Sequence, residues 1–144
     1  MKMTKIAVLL LAVAMVLGMF ASCGAASLTT VKITFLDENN KTVVDTYTAE
    51  IRKENPTVLD AVNAVSDAYV TMEDYANITL SEDGTSVKAV DACVEDLTPD
   101  ADNKIKYWMF LVNGKEPKGD INSVTIADGD SIVFQFQYVE NTAE

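Results

Sequence analysis

The fold is decided by one stretch of the chain: Tyr107-Trp108-Met109-Phe110-Leu111-Val112-Asn113-Gly114-Lys115. Its first six residues are all apolar or aromatic, which is typical of a strand that is buried in a sheet. Asn113 and Gly114 then supply the residue types that tight turns favour, because both tolerate a positive φ. We therefore predict a strong strand over residues 107–112 that is closed by a turn at 113–115.

The residues that follow predict two more strands. Residues 123–127 and 131–139 flank Asp128-Gly129-Asp130, where Asp-Gly favours a hairpin turn. In the second of these segments apolar residues alternate with glutamines, so that one face carries Ile132, Phe134, Phe136 and Tyr138. Period-two alternation predicts a half-buried strand that ends the domain.

Upstream of the decisive stretch, the chain predicts a hairpin, a helix and a second hairpin. Residues 29–37 and 42–51 read as strands around an Asn-rich turn, and residues 77–81 and 86–94 as strands around Asp83-Gly84. Thr57 and Asp60 have the spacing of a capping box. The apolar stripe of the helix that they open consists of Val58, Leu59, Val62, Val65 and Tyr69. We predict an α+β, β-grasp-like fold with an N-terminal β-hairpin, one helix and then antiparallel or mixed strands.

Residues 1–22 predict the signal peptide of an exported protein. Lys2 and Lys5 precede an uncharged apolar run over residues 6–17. That run is too short to span a membrane as a helix, which takes about 20 residues. We therefore expect the leader to be removed on export.

Phe20-Ala21-Ser22-Cys23 resembles the lipobox of bacterial lipoproteins, in which a small residue precedes the cysteine that receives diacylglycerol. We expect lipidation at Cys23 and a domain held close to the outer face of a membrane. The alternative is ordinary secretion with cleavage near Ala26 and no anchor. The expected organisation is a leader at 1–22, a tether at 23–28, a domain at 29–140 and a tail at 141–144.

The charge of the exported part excludes some partners. The chain carries 11 basic and 22 acidic residues, and because Lys2 and Lys5 lie in the leader, the remainder has a net charge of −13. Such a charge repels nucleic acid and anionic lipid headgroups, so we expect neither as a partner. The only cysteine besides Cys23 is Cys93. It suits a small, buried apolar position, and lipidation of Cys23 leaves it without a disulfide partner.

Three motifs together resemble a known family. They are Thr57-Val58-Leu59-Asp60-Ala61, the stretch 107–115 and Asp128-Gly129-Asp130. They resemble a bacterial domain family related to the C-terminal β-domain of transcobalamin and intrinsic factor, the vitamin B12 carriers, over about residues 29–138. The resemblance implies the hairpin–helix–strand fold and a corrinoid as ligand. The carriers clamp cobalamin between this domain and a large helical domain that this sequence does not contain. The chain departs from the family pattern at residues 118–122, where members carry small and aromatic residues.

The residue types argue against catalysis. The chain contains no histidine, which removes Ser-His and Cys-His nucleophiles and the usual zinc ligand sets. Carboxylate pairs are expected by chance among 22 acidic residues, so they carry no specific signal for a glycosidase. Asp100-Ala101-Asp102-Asn103 begins like a calcium loop but lacks the glycine and glutamate that such a loop needs later. We predict a protein that is not an enzyme and has no catalytic cofactor and no metal.

One feature of the stretch 107–112 is unusual, because both of its faces are apolar. Tyr107, Met109 and Leu111 lie on one face and Trp108, Phe110 and Val112 on the other. A sheet that is covered by one helix should bury only one face. Either a loop such as residues 71–76 covers the second face, or that face is an exposed aromatic patch that binds a ligand or a partner protein. The candidate binding residues are Tyr75, Tyr107 and Trp108.

Three functional hypotheses remain at this point. The first is a non-enzymatic, lipid-anchored domain that captures a small molecule, such as a corrinoid, outside the cell. The second is a surface interaction module, which would serve adhesion or act as an accessory subunit of an envelope complex. The third, a carboxylate-dependent hydrolase, has the least support.

Overall fold

The computed structural model describes residues 26–69 and 77–142. Tyr75 and Cys23, which carry two of the site predictions, lie outside these residues. The elements in chain order are β1 Leu28–Leu36, β2 Thr42–Arg52, α1 Val58–Tyr69, β3 Ile78–Leu80, β4 Val87–Val90, β5 Cys93–Val94, β6 Lys104–Val112 and β7 Ser131–Glu140. The described chain is mostly β with one helix, and the N-terminal hairpin and the helix that follows it are confirmed.

The main sheet has four strands in the order β2-β1-β7-β6. β1 pairs with β7 in parallel, and the other two pairs are antiparallel. The sheet is therefore mixed, as one of the two predicted alternatives had it. A parallel pair needs a long crossover between its strands, and here the chain from β2 to β6 supplies it. This crossover brings the first and last strands together at the centre of the sheet.

A second, smaller sheet has the order β3-β4-β5. The predicted strand over residues 86–94 is divided in two, because Asp91 adopts a positive φ of 50° and the chain turns there. The predicted turn at Gly84 is present between β3 and β4. Val87 and Val90 of β4 are buried in the main core, so this sheet helps to cover the main sheet.

The predicted strand over residues 123–127 is wrong. This segment makes only an isolated bridge between Thr125 and Thr57, and its backbone pairs with the start of the helix instead: the Val58 N–H donates to the Val124 carbonyl at 3.0 Å. The turn at Asp128-Gly129-Asp130 does form, with Gly129 at a φ of 86°. However, one Asp130 carboxylate oxygen accepts the Ala127 N–H at 2.8 Å, which holds this segment in a turn.

Helix α1 begins as the capping residues predict. The Asp60 carboxylate accepts the backbone N–H of Thr57 at 2.7 Å and its hydroxyl at 3.0 Å, and it forms an ion pair with Lys53 at 2.9 Å. Partial burial raises the pKa of Asp60, but the hydrogen bonds from Lys53 and Thr57 outweigh it, so the pKa lies below its ordinary value. The carboxylate therefore stabilises the start of the helix in its charged form.

The core lies between the main sheet and a layer that is formed by α1 and the small sheet. The helix contributes Val58, Ala61, Val62 and Val65. Aromatic rings fill the sheet side, where Phe35 stacks on Phe134 with the ring centroids 4.9 Å apart. We call the face of the main sheet toward this core its covered side, and the opposite face its open side.

Candidate functional site

Strand β6 presents two apolar faces that have different surroundings. Trp108 is on the covered side, where only 8% of its surface is exposed. Because side chains alternate along a strand, Tyr107, Met109 and Leu111 point to the open side, where all three are half-buried. Tyr107 and Trp108 therefore cannot contribute to one surface, although they are neighbours in the sequence.

Trp108 is a core residue. Its ring lies 5.0 Å from the ring of Phe136 and 6.2 Å from that of Phe35, measured between centroids. Its indole N–H donates to the Cys93 carbonyl at 3.1 Å, so the polar atom of the ring is satisfied. The exposed position that the aromatic-patch hypothesis gave to Trp108 is wrong, because the register places this residue opposite Phe136 inside the core.

Tyr107 lines a surface cleft near the N-terminal end of β6. A short segment of chain runs along the free edge of β6 at this point, because Asp96 and Lys106 exchange two backbone hydrogen bonds of 2.9 and 2.8 Å. This pairing holds Leu97 beside the strand. The cleft, which we call the Tyr107 cleft, is lined by Glu95, Leu97, Ile105, Tyr107, Val139, Glu140, Asn141 and Thr142.

The Tyr107 cleft has an apolar floor and a polar rim. Ile105 and Val139 are direct cross-strand partners in the floor, and Leu97 forms a wall with 57% of its surface exposed. The cleft has a volume of about 550 Å³, which is within the usual range for small-molecule sites. Glu95 and Glu140 lie at the rim, and Glu95 forms an ion pair with Lys88.

The far end of the cleft is fixed by hydrogen bonds. The Asn141 N–H donates to the Asn103 carbonyl at 2.7 Å, and the Asn103 side-chain amide donates back to the Asn141 carbonyl at 3.2 Å. These contacts hold the chain after β7 against the loop before β6. The polar groups at this end are therefore positioned before any ligand binds, which lowers the entropic cost of binding.

Two other clefts lie beside turns of the chain. One, of about 450 Å³, is lined by Asp37, Glu38, Ala92, Cys93, Lys106, Phe136 and Tyr138. The other, of about 570 Å³, is lined by residues of β1 and β2 together with Asp128, Gly129, Asp130 and Ser131. The carboxylates of Asp128 and Asp130 already accept backbone hydrogen bonds from Thr30 and Ala127, respectively, so they stabilise the fold.

The ionisable groups near these clefts contact one another and so stabilise the fold. The Tyr138 hydroxyl donates to the Asp100 carboxylate, which lowers the pKa of Asp100 and raises that of Tyr138. The ammonium groups of Lys104 and Lys106 lie 5.0 and 5.5 Å from the centre of the Tyr138 ring. These are favourable cation–π contacts.

Cys93 is half-buried, and burial, followed by the charges of Glu38, Asp37 and Asp91, raises its pKa. A raised pKa keeps the thiol protonated, which does not favour a nucleophile. Within residues 26–69 and 77–142 no group of three cysteine, aspartate or glutamate side chains is placed to hold a metal.

The sequence-based reasoning found Tyr107 but missed the rest of its cleft. The alternation of β6 and β7 could have identified Ile105 and Val139, because both lie on the same face as Tyr107. Leu97 had no such signal, since its position depends on the backbone pairing of Asp96 with Lys106.

Comparisons with known proteins agree with this architecture. The profile of the family described as "Domain of unknown function (DUF4430)" matches residues 55–138. No curated protein sequence is significantly similar to the chain. No helix among the described residues has the length and apolar character that crossing a membrane would require.

Among solved structures, haptocorrin in complex with Cbi matches with a TM-score of 0.58 and 12% sequence identity. The match covers 79% of this chain and 26% of haptocorrin, so the chain spans about a quarter of that protein. The structure of a protein from Ruminococcus gnavus ATCC 29149, described as metal binding, matches with a TM-score of 0.46 and 14% identity, over 77% of this chain and 98% of the other. At such identities the likeness to haptocorrin describes the fold alone.

Proposed function

The chain belongs to the DUF4430 family of domains of unknown function, and we propose that it is an exported, lipid-anchored, non-enzymatic domain that binds a small molecule at the cell surface. The observation that carries this proposal is the Tyr107 cleft, which combines an apolar floor with a few fixed polar groups. That combination is the usual composition of a small-molecule site.

The first candidate ligand is a corrinoid. The fold of the chain is similar to that of haptocorrin, whose structure is titled as a complex with Cbi. A flat ligand that is apolar on its face and polar at its margin would pack on Ile105, Val139 and Leu97. Its polar margin would meet the Tyr107 hydroxyl and the polar groups of the rim. Tyr107 suits this half-wet position because its ring is apolar and its tip is polar.

Of the three predicted binding residues, Tyr107 has that role in this proposal. Trp108 packs in the core, on the other face of the strand that carries Tyr107. Tyr75 stays a candidate from outside the described residues. We also propose the β-grasp-like description of the fold, which the parallel pair of first and last strands supports.

The test of binding is equilibrium dialysis of residues 24–144 against cobalamin and cobinamide, read by absorbance. These residues contain the whole core, because every buried residue of the described chain lies between Thr29 and Phe136. We expect a dissociation constant near or below about 1 μM, and a loss of at least about tenfold in Tyr107→Ala, as for a truncated aromatic anchor.

The matched control is Tyr138→Ala. Tyr138 is a tyrosine of the neighbouring strand, it is on the covered side of the sheet, and it does not line the Tyr107 cleft. Affinity should stay within about threefold in this variant, which is the size of a neutral surface change. Retention of neither corrinoid would remove this ligand from consideration. Equal losses in both variants would place the site elsewhere.

Export and anchoring are tested separately at Cys23. We expect the full chain to fractionate with membranes and to carry a diacylglycerol mass on its N-terminal peptide. Cys23→Ala should release it, because the lipid chains supply the membrane affinity at about 0.8 kcal/mol per buried methylene. Cys93→Ala is the control and should stay on the membrane. Release of both variants, or of neither, would contradict lipidation at Cys23.

A second candidate function is an interaction module. The observation that favours it is the open side itself, where Met109 and Leu111 of β6 lie beside Val133 of β7. All three are half-buried, and they lie on the face opposite the helix. Recovery of a stoichiometric envelope protein from mild detergent, lost in Met109→Asp, would support this function. Recovery of none would count against it.

A further inference from the structure

The two edges of the main sheet differ in how far other segments of the chain cover them. The edge of β6 is covered near one end by Asp96, which pairs with Lys106, and closed at the other by Lys115, which exchanges hydrogen bonds with Val112 at 2.9 and 3.1 Å. The edge of β2 has no such cover among the described residues, although β2 is the longest strand, with 11 residues. An open edge strand is a template for pairing with another strand.

The direction of the backbone groups along β2 follows from those of β1. The Lys32 N–H donates to the Asp130 carbonyl, and the Thr30 carbonyl accepts from Gly129. The even-numbered residues of β1 therefore direct their backbone groups away from β2. The odd-numbered ones direct theirs toward β2, where Val31 faces Ala49. Since backbone groups alternate along a strand, the even-numbered residues of β2 that follow the register shift, from Thr48 to Arg52, must direct theirs outward.

The outward residues after the irregularity in the β1–β2 register are Thr48, Glu50 and Arg52. All three side chains are exposed, and within the described residues no hydrogen bond reaches their backbone groups. Their neighbours Ala49 and Ile51 are buried under the helix. The edge is therefore held rigidly in a strand conformation while its outward groups stay available.

The charges of β2 are self-complementary. Asp45 lies toward one end of the strand and Arg52 at the other, followed by Lys53. Lys53 is already paired with Asp60, whereas Arg52 has no ion pair in the described part of the chain. In an antiparallel pair of two identical strands, the basic end of each copy meets the acidic end of the other.

The rest of the surface discourages other contacts between copies. The whole chain has a net charge of −11, so two copies repel each other over most orientations. Strand β2 has a net charge of only −1, because Arg52 offsets one of its two acidic residues, Asp45 and Glu50, and in the antiparallel pair Arg52 approaches Asp45 of the other copy. The edge that is open is thus also the place where two copies can approach without a large repulsion.

We propose that two copies of this chain pair through their β2 edges into a continuous eight-stranded sheet. The twofold axis passes at Ala49, so that Thr48 of each copy faces Glu50 of the other and Arg52 faces Thr46. Because the register shift between Ile33 and Phe35 places both Thr46 and Asp45 opposite Thr34, Arg52 also lies near Asp45 of the other copy. This arrangement adds main-chain hydrogen bonds outside the domain core and leaves the Tyr107 cleft of both copies free, because β6 is at the opposite edge.

Sedimentation velocity of residues 24–144 tests the proposal, with Thr48→Pro as the decisive variant. Proline removes the outward N–H of Thr48 and blocks strand addition, yet no hydrogen bond inside the domain is lost. We expect a concentration-dependent dimer whose dissociation constant rises at least about tenfold in Thr48→Pro, since two main-chain bonds per interface are lost. Thr48→Ala keeps the N–H and should change the constant less than about threefold. Circular dichroism confirms that both variants are folded.

A charge exchange tests the register and does not depend on proline. Arg52→Asp should weaken the dimer, because it places an acidic residue near Asp45 of the other copy. The double variant Asp45→Arg and Arg52→Asp should restore pairing. A chain that stays monomeric up to about 1 mM would overturn the proposal, because a dissociation constant above that concentration is too weak for a stable dimer. A dimer that Thr48→Pro leaves unchanged would also overturn it. Failure of the double variant to restore pairing would overturn the register.

Discussion

The two sides of the main sheet carry similar apolar residues in different surroundings. On the covered side Trp108 and Phe110 pack against Phe136 and Phe134, respectively. On the open side Tyr107 and Met109, from the same strand, are only half-buried. Apolar character therefore shows which residues can enter a core, but the register decides which of them do.

This difference separates stability from binding in the molecule. The covered side holds the fold, since its buried side chains, Trp108, Phe134 and Phe136 among them, belong to the core that the helix and the small sheet complete. The side chains of the open side are only half-buried within the described residues, so they contribute less to the fold. Substitutions on the two sides should accordingly have effects of different size and kind.

The largest effect is expected at Trp108. Trp108→Ala should lower the free energy of unfolding by about 3–5 kcal/mol, because it leaves a cavity beside Phe35 and Phe136. It also leaves the Cys93 carbonyl without its donor. Guanidinium unfolding followed by far-UV circular dichroism measures this loss. Fluorescence cannot be used, because Trp108 is the only tryptophan in the chain.

The control for Trp108 is Met109→Ala on the open side of the same strand. Met109→Ala should lower the free energy of unfolding by well below half as much as Trp108→Ala does, since Met109 is only half-buried. Equal losses in the two variants would mean that the open side is packed as tightly as the covered side. The distinction between the two sides would then fail.

Much of the fold could be predicted because its signals are local. The turn at Asn113 and Gly114, the capping pair Thr57 and Asp60, and the alternation of β7 each depend on a few adjacent residues. The segment 123–127 could not be predicted in the same way. It has the composition of a strand, but its partner is the start of the helix, about 65 residues earlier, and a distant partner of that kind leaves no local signal.

The candidate site was predicted only in part for a related reason. The two apolar faces of the stretch 107–112 were evident, but nothing in the residue types assigned Trp108 to the core and Tyr107 to the surface. That assignment comes from the register of β6 on β7. The exposed position of Leu97 depends on the pairing of a loop with a strand edge, which periodicity does not report.

An effect of intermediate size is expected at Asp60, in the helix that packs on the covered side. Asp60→Asn should cost about 1 kcal/mol at neutral pH, as for other capping residues. Folding lowers the pKa of Asp60 below the ordinary value of 3.8. Its contribution is therefore fully present above about pH 4 and is lost as the pH falls through the lowered pKa. Urea unfolding between pH 2 and pH 6 should give two stability curves that converge in acid.

The control for Asp60 is Asp67→Asn, which removes the same charge from an exposed position of the same helix. It should change stability by less than about 0.5 kcal/mol across this range. Curves for Asp60→Asn that run parallel to the wild type at all pH values would contradict a role for the charged carboxylate at the helix start.

The smallest effect on stability, and the sharpest test of the open side, is expected beside the cleft. Leu97 and Val94 are 57% and 56% exposed, lie three residues apart, and differ in that only Leu97 lines the Tyr107 cleft. Leu97→Ala and Val94→Ala should each change the free energy of unfolding by less than about 0.5 kcal/mol. A bound ligand raises the melting temperature by an amount that grows with the ratio of its concentration to its dissociation constant. Cobinamide should therefore stabilise Val94→Ala as it does the wild type and stabilise Leu97→Ala less. If Leu97→Ala alone were destabilised by more than about 1 kcal/mol without ligand, the cleft wall would belong to the packing of the fold. A structural role would then explain Leu97 better than binding does.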